Sequence, residues 1–126
     1  MQSRLLGVIA LTMAVAVAGN VHADAPASVA KTFDKVIAAV TAGDREAFIA
    51  LGTPEVKSAF TPELMKSVRS SLGKRLEEGY TTQYLCELNQ AGLKVHLWKV
   101  TFADGGDDAI VRMAMQKDLV AGFFLQ

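Results

Sequence analysis

Residues 94–102 read KVHLWKVTF, and the alternation within them decides the fold. On an extended strand His96, Trp98, Val100 and Phe102 share one side, with Lys94 two places earlier, while Val95, Leu97, Lys99 and Thr101 take the other. The turn-forming runs NQAG before it and ADGGD after it mark this as a strand between two hairpins. The same signals predict strands over residues 80–88, 93–102, 108–116 and 119–125, the last two joined at Lys117-Asp118.

Upstream the period changes from two to that of a helix. Val29, Phe33, Val36, Ile37 and Val40 form one apolar stripe over residues 26–41, Gly43 supplies the stop, and Asp44 caps the following DREAFIAL. TPEVKSAF and TPELMKSV then repeat the same start chemistry. Thr53 and Thr61 suit the N-cap, Pro54 and Pro62 the first helical position, and Glu55 and Glu63 the positive helix end. The second of these helices is expected to run through Met65, Val68, Leu72 and Leu76 to Gly79. Helices followed by an antiparallel meander predict an α+β fold, with N-terminal helices packed on one face of a curved four-stranded sheet.

Register identifies the covered face. A two-residue turn at Gly105-Gly106 sets Phe102 opposite Ala109, Val100 opposite Val111, Trp98 opposite Met113 and His96 opposite Met115. It also sets Lys99 opposite Arg112, a like-charge pair tolerable only in water, so the Trp98 face is the one the helices cover. A Lys117-Asp118 turn carries Val120, Gly122 and Phe124 to that face, with Gly122 opposite Met113 and space beside Trp98.

The first 23 residues read as an export segment. A basic start ending at Arg4, an uncharged apolar run over residues 5–18 and the small-x-small Val21-His22-Ala23 predict cleavage after Ala23. The run is shorter than the roughly 20 apolar residues of a spanning helix, and no Cys follows the cut to carry a lipid. The expectation is a periplasmic or secreted protein with one domain over residues 24–126 and no membrane attachment.

Composition narrows the function classes. Arg4 leaves with the export segment, so 12 of 13 basic residues face 13 acidic ones, and bulk charge predicts no nucleic-acid partner. One Cys in an exported chain excludes an internal disulfide. His22 also leaves, so His96 is the only histidine of the domain, and a multi-histidine zinc site within one protomer is excluded. No cofactor motif is present. Asp104, Asp107 and Asp108 around Gly105-Gly106 lack the spacing of a calcium loop and read as a solvated turn.

TAGDREAF over residues 41–48, TPEVKSAFTPELMKSV over 53–68, Gly79 before the first strand and KDLVAGFF over 117–124 together resemble exported bacterial members of the nuclear transport factor 2-like superfamily. The resemblance implies a cone of curved sheet and helices around a pocket. The superfamily includes ketosteroid isomerases, dehydratases and non-catalytic binding or dimerising domains, so the fold alone does not choose a function. An isomerase-like member needs a carboxylate base inside the cone, and the inward positions of the last three strands carry none.

Three sites follow. Tyr84, His96, Trp98 and Met113, with Gly122 as the gap, are candidates to line a pocket for a small apolar ligand. Leu97, Ile110, Phe123 and Leu125 make an apolar outer face for a homodimer, with Phe123 as anchor. A catalytic alternative, a small isomerase, dehydratase or hydrolase, acts through His96 with Cys86 or a tyrosine. A three-residue excursion at NQAG sets Cys86 opposite His96, and an even-numbered turn puts them on opposite faces. The expected function is an exported, non-catalytic binding or assembly domain.

Overall fold

The computed structural model describes residues 24–126, and the expected export segment lies outside the described residues. Helix α1 spans Ala27–Ala42 and buries Phe33, Val36, Ile37 and Val40 of the predicted stripe together with Ala39, while Val29 is partly buried. It ends as the sequence requires. Gly43 adopts φ 70°, its N–H donates to the Val40 carbonyl at 3.1 Å, and the Asp44 N–H reaches back to the Ala39 carbonyl at 2.8 Å. A residue with a Cβ is strained in this left-handed conformation, so the glycine fixes the corner.

The three predicted caps form. Asp44 accepts from the Ala47 amide to start α2, Arg45–Ile49. Thr53 accepts from Val56 to start α3, Pro54–Ala59, and Thr61 accepts from Leu64 to start α4, Pro62–Val68. The helix then runs on to Glu77 without a break, as periodicity predicts, but with a wider turn inside it. Arg69–Gly73 is a π-helical turn, followed by a short α5, Lys74–Glu77. The Ser70 and Ser71 hydroxyls each donate to the Ser67 carbonyl at 3.0 Å, supplying donors where the wider turn disturbs the backbone ladder. A Cβ on Gly73 would sit 2.7 Å from the Val40 carbonyl oxygen, so the glycine lets this turn cross α1 closely.

Four antiparallel strands follow in sequence order: β1 Tyr80–Gln90, β2 Leu93–Phe102, β3 Ala109–Gln116 and β4 Leu119–Leu125. The α+β arrangement expected from the sequence is the one observed. Trp98, Val100, Phe102, Val111 and Met113 face the helices and are buried, so KVHLWKVTF presents its even-numbered side to the core.

The registers correct three expectations. Between β2 and β3 the pairing is offset by two residues from a tight glycine turn, with Val100 opposite Ala109, Trp98 opposite Val111 and His96 opposite Met113. The cause is Arg75, which draws the connection into a wider loop. Its guanidinium bonds the Asp104 carboxylate at 2.7 and 3.1 Å and the Asp107 carbonyl at 3.0 Å, and it lies 3.7 Å over the Phe102 ring. An even offset preserves which face is inward, and it sets Lys99 opposite Ile110 and Arg112 opposite Leu97.

Two bulges make odd offsets, which exchange faces. In β1 the extra residue is Leu85, so Tyr84 pairs with Trp98 on the inward face, while Cys86 and Glu87, on the turn side of the bulge, pair with Leu97 and His96. In β4 the extra residue is Ala121. Gly122 therefore pairs with Ala114, Phe123 with Met113 and Leu125 with Val111. Phe123 turns inward, and Phe124, expected inward, is 58% exposed on the outer side.

The side-chain hydrogen bond from Arg75, with a second from the Gly106 amide, holds the Asp104 carboxyl down at about 2 from an ordinary 3.8. A depressed carboxyl stabilises the fold above its unfolded value and loses that contribution as pH falls towards the folded one. Asp104→Asn should thus lower the urea midpoint clearly at about pH 6 and much less near pH 2. An equal loss at both values would show that charge is not what holds the loop.

Candidate functional site

The inward face at Trp98 is filled. Phe33 of α1 stacks on the indole with ring centroids 4.0 Å apart and planes within 7°, and Tyr84 packs edge-on at 5.3 Å. Such pairs contribute about 0.5–1.5 kcal/mol beyond the area they bury. Met113 is wholly enclosed and Trp98 is 3% exposed. The gap expected at Gly122 is not beside them, because the β4 bulge places that glycine opposite Ala114 on the other face. A Cβ on Gly122 would meet the Phe124 ring at 2.9 Å and lies nowhere near the indole.

His96 belongs to the same packed cluster. Its Nδ1 lies 2.9 Å from the Tyr84 hydroxyl, so one hydrogen bond joins them, and the imidazole is buried. Burial pushes His96 below its ordinary value, with Glu87 opposing and Lys94 reinforcing the shift. Burial also pushes the Tyr84 hydroxyl up, with Glu87 adding to it. The neutral imidazole and the protonated phenol are the pair the core holds. Cys86 is exposed on the outer face and pairs with Leu97, the opposite face from His96, as the even-numbered reading of the NQAG turn expects. The turn itself is the two-residue Ala91-Gly92, with φ of 53° and 79°.

Open space lies elsewhere, in a cavity of about 480 Å³ between β4 and the α3–α4 corner. Its origin is local. The Val120 amide donates to the Leu51 carbonyl at 2.8 Å and the Thr53 amide to the Val120 carbonyl at 2.9 Å, a short parallel bridge centred on Gly52. A Cβ on Gly52 would lie 2.5 Å from Val56 Cγ1, so the glycine lets Val56 pack back over the bridge. At Thr53 the cap turns the chain away into α3, and β4 continues as an edge strand. The groove opens between them.

Its floor is aromatic: Phe48 stacks on Phe60 at 4.2 Å and meets Phe123 edge-on at 6.0 Å. Val56, Leu64, Val68 and Leu72 form the helical wall, and residues 121–125 form the other. Arg45 fixes the far corner by donating to the Phe60 carbonyl at 2.6 Å. Glu55 and Ser71 are the polar side chains at the lining. The π-helical turn brings in Ser71 beside Val68 and Leu72, and a serine pair plus Gly73 inside an apolar helical period is the sequence sign of it.

Of the residues expected to bind a ligand, Tyr84, His96, Trp98 and Met113 are thus gathered in the core, and Gly122 alone lies at the groove. Of those expected on the outer face, Leu97 and Ile110 are there, half-buried. Phe123 and Leu125 are turned by the bulge to the groove side, and Phe124 takes the outer position. Among the described residues no group of three His, Cys, Asp or Glu is placed to hold a metal, and no helix is long and apolar enough to cross a membrane.

No protein-family model matches the chain, and no curated protein matches it. Among solved structures it is similar to an uncharacterized cystatin fold protein from Novosphingobium aromaticivorans, at 12% identity and a TM-score of 0.43, over 76% of this chain and 95% of that one.

An imidazole held below its unfolded value of about 6.5 stays neutral in the fold while the unfolded chain takes up a proton. Stability should fall as pH drops from about 7 to about 5.5, and His96→Gln should remove that slope. A flat wild-type profile, or a slope that survives the substitution, would contradict the assignment.

Proposed function

We propose that the chain is an exported, non-catalytic binding domain that holds a small apolar ligand in the groove between β4 and the α3–α4 corner. The observation that carries this reading is the cavity of about 480 Å³ with an aromatic floor and aliphatic walls. Small-molecule sites have volumes of roughly 300–1,000 Å³ and are lined mainly by apolar side chains with few polar groups. The catalytic alternative draws less support, since His96 is buried in the core, its partner is Tyr84, and Cys86 points away from both.

The test is ligand-dependent stability. A molecule that binds only the folded state raises the unfolding temperature in proportion to its occupancy. We expect 1-decanol to raise it, and Ala59→Trp, a bulky ring at the exposed mouth, to abolish the rise while leaving the unliganded chain folded. A wild type indifferent to 1-decanol would refute the proposal.

A second reading concerns assembly. Phe124, 58% exposed, stands on the outer face of the edge strand, beside Arg112 and with Leu97 and Ile110 on the strands beyond, and an exposed aromatic ring is a frequent anchor of an interface. We propose a homodimer through this face, anchored by Phe124 in place of Phe123. Phe124→Lys should sediment as a folded monomer. A wild type already monomeric at high micromolar concentration would rule the dimer out.

A further inference from the structure

Resting on the proposal that the groove binds a ligand, we infer that this ligand is a single apolar chain with an ammonium-type cationic head, received by Glu55 at one end of the groove. The shape comes first. The groove follows β4 over residues 121–125, a wall of about 13 Å at ~3.3 Å per residue. An edge of this length beside an apolar floor has room for an extended chain.

The charge selects the head. Glu55 is the one ionisable side chain at the lining, and no Lys, Arg or His joins it there. It makes no hydrogen bond or ion pair among the described residues, whereas Glu46, Glu77, Glu87 and Asp104 are each paired with a cation. Ser71 does not redress the balance, because its hydroxyl proton is already directed at the Ser67 carbonyl, leaving its oxygen as an acceptor. A carboxylate or phosphate head would find no donating side chain in the lining and would face an anion. The strand edge carries N–H and C=O groups alike and so does not choose between head groups.

Position gives the ligand a direction. Thr53 is bonded to Val120 and Glu55 is two residues further on, so the carboxylate marks the Ala121 end of the groove. The chain then runs towards Leu125, between the β4 edge and the side chains of Leu64 and Val68.

The experiment compares decylammonium, decanoate and 1-decanol by titration calorimetry below their micelle concentrations, on wild type and Glu55→Gln, with sedimentation of the same samples. Attraction of one head and repulsion of the other at a solvent-exposed carboxylate should favour decylammonium over decanoate by about fivefold at low salt. The ratio should shrink as salt is raised and collapse towards one in Glu55→Gln. If 1-decanol binds but decanoate equals or exceeds decylammonium, or if the preference survives in Glu55→Gln, the head-group assignment is wrong and the groove remains a binding site. Failure of all three probes would overturn both inferences. A dimer that takes up no probe would also overturn them, because β4 of a second copy would then be the occupant.

Discussion

Two hydrogen bonds between the edge of β4 and the chain at Gly52 govern where this small domain has room. Val120 is held to Leu51 and Thr53 at 2.8 and 2.9 Å, which fixes the start of β4 against the helical layer. One residue later the strand bulges at Ala121, and the bulge exchanges the faces of everything that follows. Phe123 swings under the helices to meet Phe48, and Phe124 swings out. Had the strand continued without the extra residue, Phe124 would occupy the inner side, and the floor of the groove would have a different shape. The Thr53 cap completes the effect by sending α3 away from the strand it has just touched.

The rest of the sheet has no such freedom. Phe33, Trp98 and Tyr84 interlock over Val100 and Met113, and His96 is tied to the Tyr84 hydroxyl, so the wide end of the meander is occupied by its own side chains. Burying an imidazole is tolerable when it stays neutral and hydrogen-bonded. The arrangement makes His96 a structural polar group at the border between the buried Trp98 cluster and the exposed Lys94–Glu87 pair. At the opposite end Arg75 plays the corresponding role, clamping the β2–β3 loop through Asp104 and covering Phe102.

The elements legible in the sequence were those set by local chemistry. The stripe from Phe33 to Val40, the Gly43 stop, the caps at Asp44, Thr53 and Thr61, and the inward side of KVHLWKVTF each depend on residues close together in the chain, and each is present. What could not be read depended on contacts between distant segments. The β2–β3 offset is imposed by Arg75, roughly thirty positions from its partner. The bulge at Ala121 leaves no mark in the alternation, so simple alternation puts Gly122, Phe123 and Phe124 on the wrong faces while it puts Trp98 and Met113 on the right one. The groove was missed for the same reason, since its two walls, residues 56–72 and 121–125, meet only in the folded chain. Ser70-Ser71 and Gly73 were a visible irregularity in the helix period, but only the crossing with α1 gives them meaning.

The inner side divides into a filled half around Trp98 and an open half along β4. Methyl and indole NMR shifts recorded during a titration with 1-decanol test that division directly. The account predicts saturable shifts at Val56, Leu64, Val68 and Leu125, with the Trp98 indole and the Met113 methyl unmoved. Shifts centred on Trp98 and Met113, with the groove residues unchanged, would contradict it.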